Sequence, residues 1–245
     1  KGEDADEVVM GCVLPAGLGQ APARQASLGA GVPKSVGATT VNKMCGSGMK
    51  AAMFAHDLLA AGSADVVIAG GMESMSNAPY LLERARAGYR MGHGRVMDSM
   101  FLDGLEDAYD KGRLMGTFAE DCAEAYQFTR AEQDAYALTS LERANRAIRD
   151  GAFAAEITPV AVKAGTVTTD EQPPKGRPEK IPTLKPPFRE GGTVTAANAS
   201  GINDGAAALV LMTAEEAEKR GLTPMARIAS WATAGVDPAI MGTGP

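Results

Sequence analysis

The chain has 245 residues, a length that accommodates one large domain or two smaller ones. Its net charge of −6 at pH 7 argues against a general nucleic-acid-binding or membrane-surface protein, and no apolar run approaches the roughly 18 residues needed to span a bilayer. The cysteines, Cys12, Cys45 and Cys122, are widely spaced, which indicates neither a disulfide framework nor a zinc site and fits a reducing cytoplasm.

The first part of the chain predicts strands alternating with helices, the pattern of an α/β fold. Residues 7–15 contain a short apolar strand, in which Cys12 is interpreted as a core residue, and residues 21–31 form a helix. Residues 36–41 are small and β-branched. Residues 65–71 form a short apolar run that ends in glycines, which is typical of a buried parallel strand.

Cys45 lies between the second of these strands and a helical pattern, in the sequence VNKMCGSGMK. A helix N-terminus offers free backbone N–H groups and the positive end of the helix dipole, and both favour the nucleophilic thiolate. Gly46 and Gly48 leave room for an acyl group, and the same N–H groups are suited to holding an oxyanion. From the spacing alone, Cys45 is either a nucleophile or a small core residue. The apolar stripe that predicts the helix consists of Met49, Met53, His56 and Ala60.

The middle of the chain has little periodicity. Residues 72–117 are rich in Met, Gly, Arg and Asp, and a long irregular stretch inside a compact protein is usually functional. Two helices follow, one at 118–126, in which Cys122 is interpreted as a packing residue. The other runs from a capping box at Thr129 to about Asp150.

The last part of the chain returns to a strand-and-helix pattern after an edge strand at 156–163 and a proline-rich loop at 164–190. Its predicted elements are a strand at 193–195, a buried apolar run at 206–212, a helix that opens with a capping box at Thr213–Glu216, and a strand at 226–234.

The sequence VNKMCGSGMKA, followed by DVVIAGGMESMSNAPY, resembles the nucleophile region of the thiolases, the acetyl-CoA acetyltransferase family. Further matches occur in the family's order: VLPAGLGQ at 13–20, MGT at 115–117, GTVT and NASGINDG within 192–205, and MGTGP at 241–245. The set is highly specific, and it selects the nucleophile interpretation of Cys45.

The resemblance implies an α/β fold, with a thiolase-like layered α/β/α core whose N-terminal half is incomplete, an inserted loop domain, and only the start of the C-terminal half. The implied segments are the nucleophile-bearing core at 1–75, the loop domain at 76–190, a return to the core at 191–213, and the start of the second half at 214–245. Because thiolases are longer in both directions, the chain is expected to be an internal piece.

The implied activity is ping-pong acyl transfer between coenzyme A thioesters through a thioester on Cys45. Coenzyme A is expected as a substrate and not as a permanently bound cofactor, no metal is expected, and the full-length protein is expected to be a cytoplasmic homo-oligomer, a dimer or a tetramer. The family's other catalytic groups lie in an Asn-Glu-Ala-Phe motif, in a Gly-His-Pro motif and at a second Cys beside glycines, and this sequence contains none of them. The 245 residues by themselves are therefore expected to be inactive. His56 and His93 are not assigned as the base, since neither matches by position.

The resemblance also implies a coenzyme A site. Ser200 matches the serine that meets the pantetheine arm, Ala196 and Ile202 flank it, and Phe188 matches an aromatic residue near the adenine. The positions that match apolar walls of the acyl and pantetheine tunnel are Leu105, Met91, Met115 and Met241. Leu114 stands where biosynthetic relatives have a histidine, so it lacks that side chain's hydrogen bond to the pantetheine, and the acyl-chain preference is left open.

Three alternatives remain open at this point. One is another condensing enzyme of the superfamily, such as a β-ketoacyl synthase, and the loop domain and the GGMESMS run favour a thiolase over it. A non-catalytic protein that binds coenzyme A or lipid is disfavoured because Cys45 is retained. A cysteine hydrolase is disfavoured because no histidine is placed to serve Cys45.

Overall fold

The computed structural model describes residues 1–244. Its strands are β1 Glu7–Gly11, β2 Gly37–Val41, β3 Val66–Ser74, β4 Tyr80–Leu81, β5 Met97–Asp98, β6 Val160–Val162, β7 Gly165–Val167 and β8 Asp204–Met212. Its helices are α1 Pro22–Gly29, α2 Ser47–Ala60, α3 Met115–Ala125, α4 Arg130–Arg149 and α5 Ala214–Lys219. The chain forms two compact units: unit 1 consists of residues 1–113 and 202–234, and unit 2 of residues 114–201 and those from 235 on.

Unit 1 is built on a mixed sheet with the strand order β2-β1-β3-β8. β1 pairs in parallel with β2 and β3, whereas β8 runs antiparallel to β3. Alternate residues of β1 point to opposite faces. Val8 packs in one core cluster with Ala23 of α1, and Val9 packs in another with Ala51 of α2. One helix therefore covers each face, and the predicted layered α/β/α architecture is confirmed.

The predicted helix after Cys45 is confirmed as α2, but the face that it buries differs from the predicted stripe. Met49 is 69% exposed, whereas Ala51 and Ala55 are fully buried. The helix approaches the sheet at the ends of β1 and β3, where Gly11 and Gly71 lie within contact distance of its first turn. Only small side chains fit into so close an approach, so alanines occupy the buried face.

Residues 206–212 were predicted to form a buried apolar run, and the prediction that they are buried is wrong. These residues belong to β8, and Leu209 and Val210 are 56% and 65% exposed. β8 is the edge strand of the sheet and pairs with β3 along one side. After it, Thr213 caps α5 by accepting from the Glu216 N–H at 3.1 Å, so one half of the predicted capping box forms. The strand predicted at 226–234 is absent, because these residues form neither helix nor strand.

Unit 2 contains the two predicted helices of the middle region as α3 and α4. The predicted capping box forms completely: the Glu132 N–H donates to the Thr129 hydroxyl at 3.2 Å, and the Thr129 N–H donates to the Glu132 carboxylate at 2.8 Å. The edge strand predicted at 156–163 is shortened to β6. It pairs with β7, which lies inside the stretch predicted as an extended loop.

The strand predicted at 193–195 does not form, although Val194 and Thr195 are buried. Side chains satisfy this backbone instead of a neighbouring strand. The buried carboxylate of Glu120 accepts from the N–H groups of Thr193 at 2.9 Å and Val194 at 2.8 Å. The Asn198 side chain accepts from the Thr195 N–H at 2.7 Å. The segment is therefore ordered without a ladder.

Within residues 1–244, no helix combines the length and the apolar character that crossing a membrane requires. The four segments implied by the resemblance remain a prediction, and the two compact units have other bounds.

Candidate active site

Cys45 lies on a tight elbow between β2 and α2, two residues before the helix begins. Met44 adopts a left-handed backbone conformation with φ of 50°, which is uncommon for a residue other than glycine. The Asn42 side chain accepts from the Met44 N–H at 2.9 Å. The buried hydroxyl of Ser47 accepts from the Lys43 N–H at 2.8 Å. These side chains hold an elbow that leaves the Cys45 side chain exposed.

The elbow also uses backbone donors that the sequence suggested were free. The Gly46 N–H donates to the Lys43 carbonyl at 3.1 Å, and the Ser47 N–H donates to the Met44 carbonyl at 3.0 Å. These donors therefore stabilise the turn. An oxyanion at Cys45 would have to use other N–H groups of the first helical turn.

Three glycines bring the start of α2 close to the carboxyl ends of β1 and β3. A Cβ atom on Gly11 would lie 2.5 Å from the Ser47 carbonyl carbon, and one on Gly71 would lie 3.3 Å from the Gly48 Cα. At Gly11 a larger residue would force the backbone to move, and at Gly71 it would push the neighbouring backbone away by a few tenths of an ångström. Because carboxyl ends of parallel strands are where α/β folds place ligands, the approach sets Cys45 at the functional edge of the sheet.

Cys45 lines an open cavity of about 390 Å³ at this edge. The described residues around it are Gly11, Val13, Met44, Cys45, Ser47, Gly48, Gly71, Met72, Glu73, Gly205, Ala206 and Ala207. The small residues among them leave the thiol accessible.

Glu73 is the residue of this cavity that the sequence analysis missed. Its carboxylate accepts from the backbone N–H groups of Val13 and Leu14, each at 2.9 Å. A carboxylate at the end of an otherwise apolar strand was the available signal, and the residues to which it bonds are about sixty positions away in the sequence.

Cys12 differs from Cys45 in its surroundings. It is 1% exposed, and its thiol donates to the Glu73 carboxylate at 3.7 Å. Burial and then the adjacent negative charge raise the pKa of the Cys12 thiol above its ordinary value. The expectation that Cys12 is a core residue is confirmed, and Cys122 is half-buried in α3.

Unit 1 also holds three of the predicted coenzyme A-binding residues. Leu105 is half-buried at the end of the π-helical turn Phe101–Leu105, Ile202 is 54% exposed, and Met91 is 98% exposed. None of the three is among the described residues that line the Cys45 cavity. Within this unit, the structure does not bring them to the thiol.

In unit 2, the predicted residues lie around α3. Phe188 packs its ring on Gly116, next to Met115, and leaves no room for a side chain at that glycine. Met241 lies in the short turn Pro238–Thr243, which contacts α3 where Gly242 approaches Cys122. The structure thus brings Met115, Phe188 and Met241 to the same helix.

The remaining predicted residues of unit 2, Ala196 and Ser200, are both exposed. They lie on the segment that Glu120 and Asn198 hold. Asn198 also donates to the buried Asp134 at 3.2 Å and to the Thr193 carbonyl at 3.0 Å. Their backbone is fixed by a network of buried polar groups, a device that rigidifies a segment when its members are satisfied.

Neither histidine lies among the residues lining the Cys45 cavity. His56 accepts from the indole N–H of Trp231 at 3.1 Å, and His93 is exposed in the irregular stretch. Within residues 1–244, no group of three or more His, Cys, Asp and Glu side chains is placed to hold a metal ion.

Comparison with known sequences relates the chain to one family. A sequence model described as the thiolase N-terminal domain matches residues 1–215. The acetyl-CoA acetyltransferase of Syntrophomonas wolfei is 49% identical over 251 residues, which cover 100% of this chain and 63% of that protein. The acetyl-CoA acetyltransferase of Pseudomonas aeruginosa is 53% identical over 246 residues, which cover 98% of this chain and 62% of that protein.

Solved structures agree with the sequence comparison. The Acat5 thiolase from Ascaris suum in complex with coenzyme A superposes with a TM-score of 0.91 at 42% identity, over 98% of this chain and 62% of that chain. The S. wolfei acetyl-CoA acetyltransferase superposes with a TM-score of 0.92 at 43% identity, over 100% of this chain and 62% of that chain. The chain thus spans just over 60% of the length of these relatives. Since the family model matches most of its residues, the chain belongs to the thiolase family.

Proposed function

We propose that this chain carries the nucleophile of an acetyl-CoA acetyltransferase, which moves acyl groups between coenzyme A thioesters. The reaction joins two acetyl-CoA molecules into acetoacetyl-CoA and coenzyme A, or cleaves a 3-ketoacyl-CoA with coenzyme A in the opposite direction. The observation that carries the proposal is the exposed Cys45 thiol, held on its elbow at the start of α2 and lining an open cavity. The names of the relatives favour this activity over a β-ketoacyl synthase or a non-catalytic binding protein.

The first half-reaction follows from the chemistry of Cys45. Its thiolate attacks the thioester carbonyl, the carbon–sulfur bond to coenzyme A breaks, and coenzyme A leaves as a thiolate. The product is an acetyl thioester on Cys45. The position of Cys45 just before α2 supports this step, because the positive end of a helix dipole stabilises negative charge on a nearby thiolate.

The second half-reaction needs a base. It must take a proton from the methyl group of a second acetyl-CoA, whose carbon then attacks the Cys45 thioester and releases the Cys45 thiolate. The family's Gly-His-Pro motif and its second catalytic cysteine are both absent from these residues, and neither His56 nor His93 lines the cavity. The complete reaction therefore requires groups that the chain's own residues do not supply.

We propose coenzyme A as a substrate that the chain binds and releases. Its pantetheine arm would contact Ser200, with Ala196 and Ile202 beside it. The A. suum thiolase, whose solved structure is a complex with coenzyme A, supports this ligand class. Phe188 packs on α3 near Met115 and Met241, and this contact supports an apolar wall there. Leu105 and Met91 are the remaining proposed wall residues.

The test is acetylation of Cys45 in the intact gene product. After incubation with acetyl-CoA, peptide mass spectrometry should locate the acetyl group on Cys45. Cys45→Ala should abolish labelling, whereas Cys12→Ala and Cys122→Ala should retain it. Acetyl groups on Cys122, or labelling that survives Cys45→Ala, would contradict the assignment.

We further propose a homo-oligomeric protein, a dimer or a tetramer, that acts in fatty acid metabolism in the cytoplasm. The free thiols of Cys12, Cys45 and Cys122 support a reducing compartment. Light scattering on the intact gene product would give the oligomeric state, and a monomeric mass would contradict that part of the proposal.

A further inference from the structure

Glu73 lies at the end of β3, opposite Gly205 of β8, and lines the same cavity as Cys45. Its side chain turns towards the segment that follows β1. There the carboxylate accepts from two consecutive backbone N–H groups, those of Val13 and Leu14, each at 2.9 Å. The Cys12 thiol adds a third donor at 3.7 Å. One carboxylate thus holds three successive residues.

One of the residues that Glu73 holds lies at the candidate site. Val13 lines the Cys45 cavity. Leu14 is 5% exposed, and its Cδ2 atom lies 3.4 Å from where a Cβ atom of Gly104 would stand. Gly104 belongs to the π-helical turn that ends at Leu105. The carboxylate therefore fixes a wall beside the thiol and a contact to the turn that carries Leu105.

A half-buried carboxylate at the end of a strand is suited to this task. A carboxylate only accepts hydrogen bonds, and its two oxygens can serve adjacent N–H donors simultaneously. An amide of the same size offers one oxygen, and its NH2 group would face another donor. The arrangement requires two acceptor oxygens side by side, which a carboxylate has and an amide lacks.

We propose that Glu73 is a positioning residue for acyl transfer: its carboxylate holds the Val13–Leu14 backbone so that the cavity wall beside Cys45 admits an acyl thioester in the reactive geometry. This inference rests on the proposed function. Glu73 acts through Val13 and Leu14, and it need not touch the acyl group itself.

The experiment compares Glu73→Gln with the wild type in the intact gene product. Two rates at Cys45 are measured by peptide mass spectrometry: acetylation by acetyl-CoA and alkylation by iodoacetamide. Iodoacetamide is a small reagent, and its reaction with the thiol does not depend on the cavity wall formed by Val13 and Leu14. Acetylation should fall at least about tenfold, because a misplacement of about 1 Å can cost about 10²-fold in rate. Alkylation should stay within about twofold, since the elbow and the helix start are untouched.

Asp204→Asn is the matched control. Asp204 is also a carboxylate at a strand end of the same sheet, and it accepts from the N–H and hydroxyl of Ser76 at 2.9 and 2.6 Å, but it is not among the cavity-lining residues. The acetylation and alkylation rates of Asp204→Asn should both remain within about twofold of the wild type, because exposed substitutions outside the cavity lining have small effects.

The outcomes separate this inference from the proposed function. If the wild type itself forms no acetyl thioester on Cys45, the proposed function fails. If the wild type is acetylated and Glu73→Gln is acetylated equally fast, the inference is wrong. It is also wrong if acetylation and alkylation fall in proportion, because Glu73 would then act on the thiol or on the fold.

If circular dichroism shows that Glu73→Gln does not fold, Val13→Ala tests the same cavity wall with the carboxylate bonds intact. Slower acetylation at an unchanged alkylation rate supports the proposal, and unchanged acetylation overturns it.

Discussion

The Ser47 hydroxyl donates to the Met44 carbonyl at 2.5 Å, and this bond closes the elbow on which Cys45 stands. The same oxygen accepts from the Lys43 N–H, so one buried hydroxyl bridges the residues that precede the thiol. Met44 can keep its left-handed backbone because these bonds and the Asn42 side chain compensate the unfavourable conformation. The first residue of α2 therefore determines where the sulfur atom lies.

We expect Ser47→Ala to lower the free energy of unfolding by about 1–3 kcal/mol, because the Lys43 N–H loses its acceptor in a part-buried position. Urea unfolding followed by circular dichroism measures this change. Ser63→Ala is the control, since Ser63 is exposed in the same unit and its loss should change stability by less than about 0.5 kcal/mol. Equal effects of the two substitutions would mean that the elbow does not depend on Ser47.

Gly11→Ala should destabilise the protein by about 1–3 kcal/mol or more, because its Cβ atom would overlap the first turn of α2. Gly29→Ala introduces the same methyl group where no atom lies within 4 Å, in the last turn of α1. It should be neutral or stabilising by up to about 1 kcal/mol, since alanine restricts the unfolded chain. Thermal unfolding of both variants measures the contrast, and similar midpoints would refute the close approach of α2 to β1.

The elements that the sequence predicted well have local causes. The capping box at Thr129 places its partners three residues apart, and the strand at 7–11 is apolar throughout most of its length. The segment at 193–195 consists of three β-branched residues, which predicts a strand. Its backbone is satisfied by Glu120, 73 residues upstream of Thr193, and such a partner leaves no local pattern.

The candidate site likewise combines features that local sequence predicts with features that depend on distant residues. The place of Cys45 at a helix start could be predicted from its neighbours, because the glycines and the helical pattern follow it directly in the sequence. The choice of a nucleophile over a core residue rests on the family resemblance. The contacts of Glu73 could not be predicted, since the N–H groups from which it accepts belong to residues about sixty positions earlier. The proposed coenzyme A-binding residues rest on the family resemblance alone, and no local spacing indicates them. The exposure of β8 follows from its place at the sheet edge, which composition does not reveal.

Cys45 should react with iodoacetamide before the other thiols. It is exposed, whereas Cys12 is buried and the pKa of its thiol is raised, so little thiolate forms there at neutral pH. Time-resolved alkylation with peptide mapping at pH 7.5 measures the order. Cys12 should become labelled only when urea unfolds the chain. Rapid labelling of Cys12 in the folded protein would show that the segment after β1 opens readily.

Asp204 should contribute to stability above the ordinary range of carboxyl titration and lose that contribution in acid. Hydrogen bonds from the Ser76 hydroxyl, and then from its backbone N–H, hold the pKa of Asp204 below its ordinary value. The unfolded chain then binds a proton first as the pH falls, so stability decreases below about pH 4. Ser76→Ala should move the pKa of Asp204 back towards its ordinary value. Carbon-13 NMR titration of the carboxyl group measures this, and an unchanged titration would remove Ser76 as the main cause.

These 245 residues by themselves should form no acetoacetyl-CoA, although Cys45 in them should remain reactive. Condensation needs a base for the second acetyl group, and general acid–base groups typically contribute about 10²–10⁴-fold to a rate. It also needs donors to the enolate oxygen, and loss of one such donor typically costs about 10²–10³-fold. The elbow already uses the N–H groups of Gly46 and Ser47, and neither histidine lines the Cys45 cavity. The exposed apolar side chains of β8 should in addition favour aggregation at high concentration.

A thiolysis assay on purified residues 1–245 tests the expected lack of turnover. Iodoacetamide labelling of Cys45 is the control for an accessible thiol. Turnover in the ordinary enzyme range of about 1–10³ s⁻¹ would show that the residues of this chain supply the base after all.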